Sequence, residues 1–446
     1  MLKKICLFLF IIFFPGGGIW AQDFGFGFGD DSDTAANTGR NFSASVNGEI
    51  KTSFTAYVKD FSKGLDELKL GDVFSGKLNF SAGTSFADGF INLNLTPSKS
   101  PVAIDEAFLR VYFSGFEFEA GLRKLTWGKA DSFGVLDVIN PLDYSQLTDL
   151  SNLMNFKIAR PLLHLSYRFG SFTKLEGVFV PNFEPMRFAQ EGRWAQSQMS
   201  QLNEQLLYLQ SIGVEINIPK DTSTLNYMQA GLRFTTTIGS ADFGVQYYYG
   251  RMTRPAVAMI YDFSSLMPVP ASINFSYNPY HQIGIDWAQV LYGFNIRAEL
   301  AANITGDLSG DNGEIYNPHI AWSLGFDRNL FWGINLNIQC NQSIRLMNSK
   351  ISAALPLSDT EADTDITSTQ IIAALSKMFL RDQLEVRAAV FWEAEARDIM
   401  FIPSVIWTKD ALSAELSCGI FAGDSGGQFG QYKDNCFVKA ALTFSF

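Results

Sequence analysis

The last nine residues of the chain, 438–446, alternate apolar and polar side chains and end on a phenylalanine. Since successive side chains of a β-strand point to opposite faces, this alternation places the large apolar side chains on one face of a single strand. A soluble sheet rarely ends in mid-strand on an aromatic residue, although the edge of one could carry the same pattern. The ending therefore favours a strand whose outer face meets an apolar medium. That face carries Val438, Ala440, Leu442, Phe444 and Phe446.

The same two-residue alternation recurs along the chain. About eighteen segments show it, with sixteen as the lower alternative, and short and long connections between them alternate strictly. An even number of strands joined in this way is typical of an all-β transmembrane antiparallel up-and-down barrel with long external loops, and not of a soluble sandwich. Tight turns are expected at Ala87 with Asp88 and at Ser114 with Gly115. The predicted strands are 42–58, 73–86, 89–95, 104–113, 116–125, 158–169, 171–180, 228–238, 241–250, 280–289, 294–304, 318–326, 332–343, 367–379, 383–394, 399–408, 411–421 and 435–446.

The amino-terminal residues have the organisation of a secretory signal peptide. Lys3 and Lys4 precede an apolar run at 5–14, and Ala21 offers a small residue for cleavage. The run is too short to span a bilayer. We therefore expect a signal peptide over 1–21, a poorly ordered segment rich in Phe, Gly and Asp over 22–41, and the barrel over 42–446.

Composition excludes several classes of protein. The chain is 47% hydrophobic, yet its mean hydropathy is only +0.05, and no apolar run after the signal is long enough for a membrane helix. The 40 Phe and 37 Gly against 3 His favour a barrel. Removal of the signal takes the basic count from 34 to 32 against 45 acidic residues, a net charge of −13. A nucleic-acid partner is therefore not expected.

Nothing in the sequence points to an enzyme, a cofactor or a bound metal. The histidines lie on separate predicted strands, and no motif for a nucleophile, a nucleotide or a metal site occurs. Cys340, Cys418 and Cys436 lack the spacing of a disulfide framework, although a bridge between the last two is left open. A helix is expected over 195–212, where apolar residues recur at three- and four-residue spacing, either as a lid or packed on the barrel rim.

Charged residues of both signs fall on the predicted inner face of the strands. Two interpretations are open: the charges pair across neighbouring strands and hold the wall together, or Arg110, Arg123 and Arg297 form a basic ladder that steers a charged solute. The favoured pore-lining residues are Glu106, Arg110, Glu117, Glu119, Arg123, Arg168, Glu176, Arg233, Arg297, Glu299, Glu385 and Arg387.

The connection that follows the fifth predicted strand is expected to be ordered. Asn140 with Pro141 fixes a turn, and the carboxylates of Asp137 and Asp143 can accept backbone hydrogen bonds. The apolar pairs at 135–136 and 138–139 need cover, because exposed pairs of this kind are unfavourable in water. Two placements are open: folded into the pore as a constriction or gate, or packed against neighbouring external loops. The candidate constriction residues are Trp127, Asp131, Asp137, Asn140, Pro141 and Asp143.

This connection also carries a resemblance. The residues Trp127, Gly128 and Asp131, followed by an Asp-x-x-Asn-Pro-x-Asp segment at 137–143, resemble a family of porin-like Gram-negative outer-membrane barrels of uncharacterised function. The stretch 175–194 and the residues 297–299 are similar to the same family. The resemblance implies a porin-like barrel in a bacterial outer membrane, and it implies no solute.

The chain end resembles the signal by which the outer-membrane assembly machinery recognises its barrels, with Leu442, Phe444 and Phe446 as its apolar residues. The expected partners are therefore outer-membrane lipid, that machinery and a small solute. The expected function is a porin-like channel for passive diffusion or uptake. Two alternatives remain: a surface barrel that acts as an adhesin or partner-binding platform, and an importer of a hydrophobic substrate with a loop-plugged lumen.

Overall fold

A computed structural model describes residues 42–59, 67–69, 74–97, 100–145, 147, 153–264, 266–351, 355, 357–362 and 364–446. The expected signal peptide and the segment 22–41 lie outside these residues.

Eighteen antiparallel strands form one closed sheet. Each strand pairs with its sequence neighbours, which is the up-and-down topology expected from the alternating pattern. In chain order they are β1 (Ser43–Val58), β2 (Ser75–Gly83), β3 (Ala87–Leu95), β4 (Val102–Phe113), β5 (Phe116–Arg123), β6 (Arg160–Phe169), β7 (Thr173–Val180), β8 (Gln229–Ile238), β9 (Ala241–Arg251), β10 (Pro279–Leu291), β11 (Phe294–Thr305), β12 (His319–Asn329), β13 (Ile334–Arg345), β14 (Thr367–Phe379), β15 (Leu384–Glu393), β16 (Asp398–Lys409), β17 (Leu412–Ala422) and β18 (Cys436–Ser445).

Strand β1 closes the barrel because it pairs on both sides. Its first half pairs with β2, and its second half pairs with β18 in a register that sets Glu49 against Ser445. The last residue takes part in the closure: the Phe446 N–H donates to the Gly48 carbonyl, and the Gly48 N–H donates back, each at 2.9 Å. Residues 43–51 of β1 pair with β2 and residues 49–58 pair with β18, so the first and last strands of the sheet are joined.

The two faces of the strands differ in chemistry as the alternation predicts. On β8, Leu232 and Phe234 are 59% and 42% exposed, whereas Arg233 between them is 4% exposed. On β10, Ile283 lies on the outer face beside Gln282, which is buried inside. Large apolar residues therefore form the outer surface, and polar residues face the interior.

Two rims define the barrel. The turn rim carries the short connections, such as Ser114 with Gly115, and the loop rim carries the long ones, such as 124–159 and 181–228. Beyond the loop rim lie helix α1 (Ser197–Ser211) and a small sheet in which Glu215–Asn217 pairs with Val269–Ser276, itself paired with Ala256–Asp262. Residues Glu67–Lys69 extend the pairing of β1.

The sequence-based strand bounds agree with the structure to within a few residues, and the helical loop is confirmed. Two expectations are wrong. The turn before β3 lies at 84–86, because the Thr84 hydroxyl accepts from the Ala87 N–H and Ala87 already belongs to the strand. Short and long connections also do not alternate strictly, since the β15–β16 connection at the loop rim spans only 394–397. Cys418 and Cys436 are both free thiols, so they do not form a bridge.

Within the described residues, no helix combines the length and the apolar character that a membrane crossing requires.

The barrel is of the outer-membrane type. A bilayer offers no hydrogen-bond partners, so a closed antiparallel sheet with an even number of strands and an apolar outer face satisfies its backbone there. The strands are 8 to 16 residues long, against roughly 9 to 11 residues that a tilted strand needs to cross the hydrocarbon layer. The chain is therefore a bacterial outer-membrane barrel.

The outer face generates a test of this assignment. Leu300 lies in the middle of β11 and points outward. Replacing it in Leu300→Arg should lower the free energy of unfolding in lipid vesicles by roughly 2 to 4 kcal/mol. Val290→Arg, at the turn-rim end of β10, is the matched control and should cost about 0 to 1 kcal/mol, because it lies near the interface. Equal costs at the two depths, measured by denaturant unfolding, would contradict the lipid-facing assignment.

Candidate functional site: the barrel interior and its inserted loop

The interior wall carries a continuous set of buried charges on β4 to β7. Glu119, which is fully buried, pairs with Arg110 at 2.7 Å, with Arg123, and with His164 Nδ1 at 2.7 Å. His164 Nε2 reaches Glu176 at 3.3 Å. The chain of contacts extends to Glu117 through Arg110 at 3.1 Å and to Lys174 through Glu176 at 3.0 Å.

Farther around the barrel the wall charges pair as well. Arg233 contacts Asp286 at 2.7 Å, and Arg297 on β11 contacts both Asp131 and Asp327 at 2.6 Å. Arg110, Arg123 and Arg297 are therefore each engaged with carboxylates, an arrangement that fits the cross-strand pairing interpretation better than a basic ladder.

The remaining candidate pore-lining residues stand apart from these networks. Glu106 accepts from the Asn92 amide at 3.1 Å and from the Lys124 N–H at 2.8 Å. Glu385 is buried toward the turn rim, where the charge of Arg387 acts on it. Arg168 is exposed at the turn-rim end of β6. The chain-end residues Leu442, Phe444 and Phe446 are all exposed on the outer face.

In the connection 124–159, called here the inserted loop, residues 125–140 fold into the barrel. Its base is fixed by the buried Asn140 side chain, whose Oδ1 accepts from the Leu125 N–H at 2.7 Å. Its Nδ2 donates to the carbonyls of Arg123 at 3.1 Å and Ile158 at 2.8 Å. One amide thus ties together both ends of the loop. The Ile158 N–H donates to the Pro141 carbonyl at 2.8 Å, which continues the same link.

One carboxylate of the wall, Glu299 on β11, accepts three backbone hydrogen bonds from the tip of the inserted loop. Glu299 on β11 accepts from the backbone N–H groups of Lys129 at 2.5 Å and Ala130 at 2.7 Å through Oε1, and from Leu136 at 3.1 Å through Oε2. Gly128 makes this approach possible: its φ is +99°, and a Cβ there would lie 2.2 Å from Glu299 Oε1. Hydrogen bonds to an ionised acceptor are stronger than neutral ones, so this clamp fixes the loop tip against the wall.

Neutral amides of neighbouring strands hold the rest of the loop backbone. Gln339 accepts from the Asp131 and Ser132 N–H groups at 3.0 and 3.1 Å and donates back to the Ser132 carbonyl. Gln246 donates to the Leu136 carbonyl at 2.9 Å, and Gln282 donates to that of Val135 at 3.1 Å. The loop leaves the wall after β5 and is bound by side chains of β9, β10, β11 and β13, so its tip lies inside the barrel against these strands.

Asp131 supplies a buried ion pair between the loop tip and the wall, and Lys129 adds a second one with Asp242 of β9 at 3.7 Å. The Asp131 Oδ2 receives the Arg297 guanidinium at 2.6 Å and the Asn337 amide at 2.8 Å. Burial raises the pKa of the Asp131 carboxyl to about 6, while Arg297 and Asn337 act in the opposite direction. The carboxylate is therefore charged and paired at neutral pH, and it becomes protonated as the pH falls through about 6.

Apolar contacts also hold the inserted loop against the wall. Leu136 is fully buried and packs with Ala301 and Ala321 of the wall. Gly284 leaves the space for it, since a Cβ there would lie 2.3 Å from a Leu136 methyl group. Trp127 is 2% exposed and meets Tyr248 edge to face at 6.4 Å. These contacts give the apolar pairs of the loop the cover that the sequence demands.

The outer part of the inserted loop contacts other loop-rim segments. Asp137 pairs with Lys157 at 2.5 Å, within the loop itself. Asp143 pairs with Arg187 at 3.6 Å, and the backbone of 143–144 forms a short parallel pairing with 187–188. Both placements expected from the sequence thus occur in different parts of one loop, with the tip in the interior and the outer part on a neighbouring loop.

A cavity of about 270 Å³ remains between the inserted loop and the loop-rim ends of β13 to β16. Its walls include the rings of Phe133, Tyr144, Phe188 and Phe391. The residues of this site come from distant segments that share no motif, so the sequence gives no local signal for it. Among the described residues, no group of three or more His, Cys, Asp or Glu is arranged to hold a metal ion.

No protein-family description matches the chain, and no curated protein matches it. Among solved structures, OmpT of Vibrio cholerae is 10% identical, with 92% of this chain and 100% of OmpT covered and a TM-score of 0.43. The outer-membrane channel DcaP of Acinetobacter baumannii is 8% identical, with 91% and 98% covered and a TM-score of 0.45. OmpF of Salmonella typhi, in a complex with daunomycin, is 8% identical, with 91% and 98% covered and a TM-score of 0.42. Because these values are low, the barrel assignment rests on the strand pairing.

The Glu299 clamp generates a prediction. Glu299→Gln keeps the shape of the side chain but removes its charge and one of its acceptor oxygens. We expect amide hydrogen exchange at Lys129, Ala130 and Leu136 to become roughly tenfold faster or more, since a hydrogen bond to a charged group contributes about 1.5 to 3 kcal/mol. Glu415→Gln, on the inner face of β17 and away from the loop, is the control. Unchanged exchange at all three amides would show that the clamp does not hold the loop.

Proposed function

We propose that the chain is a passive channel of the outer membrane, through which a small solute diffuses past a constriction formed by the inserted loop. The observation that carries the proposal is the Glu299 clamp, which fixes the loop tip to β11 inside a closed barrel with a polar interior. A loop held in this way narrows the cross-section without any moving part. No catalytic step is included in the proposal.

The wall charges support a solute without a large net charge. The Arg and Lys side chains around Glu119, and the pairs formed by Arg233 and Arg297, are each matched by carboxylates within 4 Å. Matched charges produce little net field along the lumen, so they select weakly between anions and cations. Partition by size and by local contacts is then the expected basis of selection.

The outer face and the last strand support the two proposed partners, membrane lipid and the assembly machinery. The outer apolar face fits membrane lipid. We propose that the last strand, with Leu442, Phe444 and Phe446 on its lipid-facing side, is the part that the assembly machinery recognises. A plugged importer is the second candidate, because the inserted loop occupies interior space on several strands at once.

The constriction predicts a change in conductance. Replacing residues 129–138 by a Gly/Ser segment of the same length removes the side-chain contacts of Asp131 and Leu136 with the wall but keeps Asn140 and its bonds to the loop base. The added backbone freedom of glycine also opposes the hydrogen bonds of the segment to Glu299 and Gln339. Single-channel conductance in planar bilayers should rise severalfold, because the freed segment no longer holds a fixed position in the lumen. The same replacement in the exposed segment 220–224 serves as the control and should leave conductance unchanged.

The outcomes separate the candidate functions. Equal conductance of the wild type and the 129–138 variant, in barrels shown to be folded, would contradict the constriction. A closed wild type that conducts only after the replacement would favour the plugged importer. Absence of solute flux in liposome swelling for both proteins would instead favour a surface barrel that serves as an adhesin or binding platform.

A further inference from the structure

The cavity at the loop rim, about 270 Å³ in volume, combines aromatic walls with two opposite charges. It lies between the inserted loop and the loop-rim ends of β13 to β16, on the side from which a solute would enter the barrel. The rings of Tyr144 and Phe188 are stacked at 5.9 Å with an interplanar angle of 19°, and Phe133 lies 6.5 Å from Tyr144. Phe391 and Phe429 also line the cavity.

The first charge is the carboxylate of Glu393, at the loop-rim end of β15. Only 8% of this residue is exposed, and one oxygen accepts from the Gln370 amide at 2.6 Å. No Lys, Arg or His of the described part of the chain lies within 4 Å of it. A buried carboxylate with a single neutral donor is unfavourable, so Glu393 is suited to receive an ammonium group from a ligand.

The second charge is the guanidinium of Arg254, which lines the same cavity from the connection after β9. It is exposed, and among the described carboxylates none lies within 4 Å of it. Its charge acts on Glu393 and on Tyr144 from a greater distance. A guanidinium offers a planar pair of donors that matches a carboxylate, and the Arg254 guanidinium lines the cavity without such a partner among the described residues.

Three amide side chains of the wall also line the cavity. Gln370 is bound to Glu393, and Gln342 is bound to both Trp322 and Thr369. Asn341 donates to the Phe133 carbonyl at 3.3 Å and accepts from Gln339 at 2.7 Å. These three amides are therefore engaged within the protein, and a purely apolar ligand would leave Glu393 uncompensated.

We propose that this cavity binds a small aromatic zwitterion of the α-amino acid type. The ammonium group contacts Glu393, the carboxylate contacts Arg254, and the ring lies against Tyr144 and its aromatic neighbours. The volume lies just below the roughly 300 to 1,000 Å³ of pockets for drug-sized ligands, which fits one ring system with short polar substituents. The inference rests on the proposed channel, because it names the class of solute that the channel admits.

Binding to the full-length mature barrel in detergent micelles tests the inference. Isothermal titration calorimetry with L-tryptophan should show saturable binding. Tryptamine, which lacks the carboxylate, and indole-3-propionate, which lacks the ammonium group, should each bind about tenfold more weakly or worse, since each loses one charged contact. No saturable binding of tryptophan, or equal binding of all three compounds, would overturn the proposal.

Two variants assign the charges to their partners. Arg254→Gln should weaken tryptophan binding about tenfold and leave tryptamine unaffected, whereas Glu393→Gln should weaken tryptophan and leave indole-3-propionate unaffected. Glu415→Gln is the control and should bind all three like the wild type. If Glu393→Gln does not fold, the relative affinities of the wild type for the three compounds still test the proposal. Equal losses for every compound in either variant would contradict the assignment.

Failure of this inference and failure of the channel are distinguishable. Binding in micelles requires no open pore, and liposome swelling with an uncharged sugar requires no binding cavity. A barrel that conducts but does not bind tryptophan refutes only the cavity assignment.

Discussion

The hydrogen-bonding demand of the peptide backbone in a bilayer is the constraint on which this structure depends. Hydrocarbon supplies no donors or acceptors, so every strand must be paired on both sides and the sheet must close. Strand β1 meets this demand by pairing with β2 along one half and with β18 along the other. The terminal Phe446 completes the ladder through Gly48. The alternation of side chains follows from closure, because one face of every strand then meets lipid and the other an enclosed interior.

Closure creates the setting in which the inserted loop is held. A loop inside the barrel loses much of its water, so its own N–H and C=O groups need partners from the wall. Glu299, Gln339, Gln246 and Gln282 supply them, and they do so from four different strands. The same demand that closes the sheet thus explains why polar wall residues contact the loop backbone more than its side chains. The loop position is set by the wall and not by the loop sequence alone.

The sequence predicts what depends on neighbouring residues. The strand count and most strand bounds follow from a two-residue period, which is visible within any one segment. The order of the loop was expected from the turn at Asn140 with Pro141, from the acceptors Asp137 and Asp143 and from the apolar pairs. The bonds of the Asn140 amide to the backbone of Leu125 and Ile158, 15 and 18 residues away, did not follow from the sequence. The partner of the loop tip did not follow, since Leu136 and Glu299 are 163 residues apart.

Residue type explains which parts of the site could be found. Asp131 and Arg297 each stood out as charges, but their pairing spans 166 residues and leaves no local signal. Gln246, Gln282 and Gln339 were not identified at all, because neutral amides are equally common on solvent-exposed faces. The small external sheet was also missed. Its strand Glu215–Asn217 has only three residues and lies in a different connection from Ala256–Asp262 and Val269–Ser276, so its pairing leaves no local signal.

The interior has two kinds of region, which differ in whether their charged side chains are paired. Along β4 to β13 the charges around Glu119, Arg233 and Arg297 have partners at contact distance, and these pairs hold the wall and the loop. At the loop rim Glu393 and Arg254 face one cavity without contacting each other. A chain could relieve a buried carboxylate by moving a cation a few ångströms closer, as it does around Glu119. In the proposed channel, the separation of the two charges across an aromatic space leaves a gap that a dipolar molecule can fill, which would place selection at the entrance, ahead of the proposed constriction.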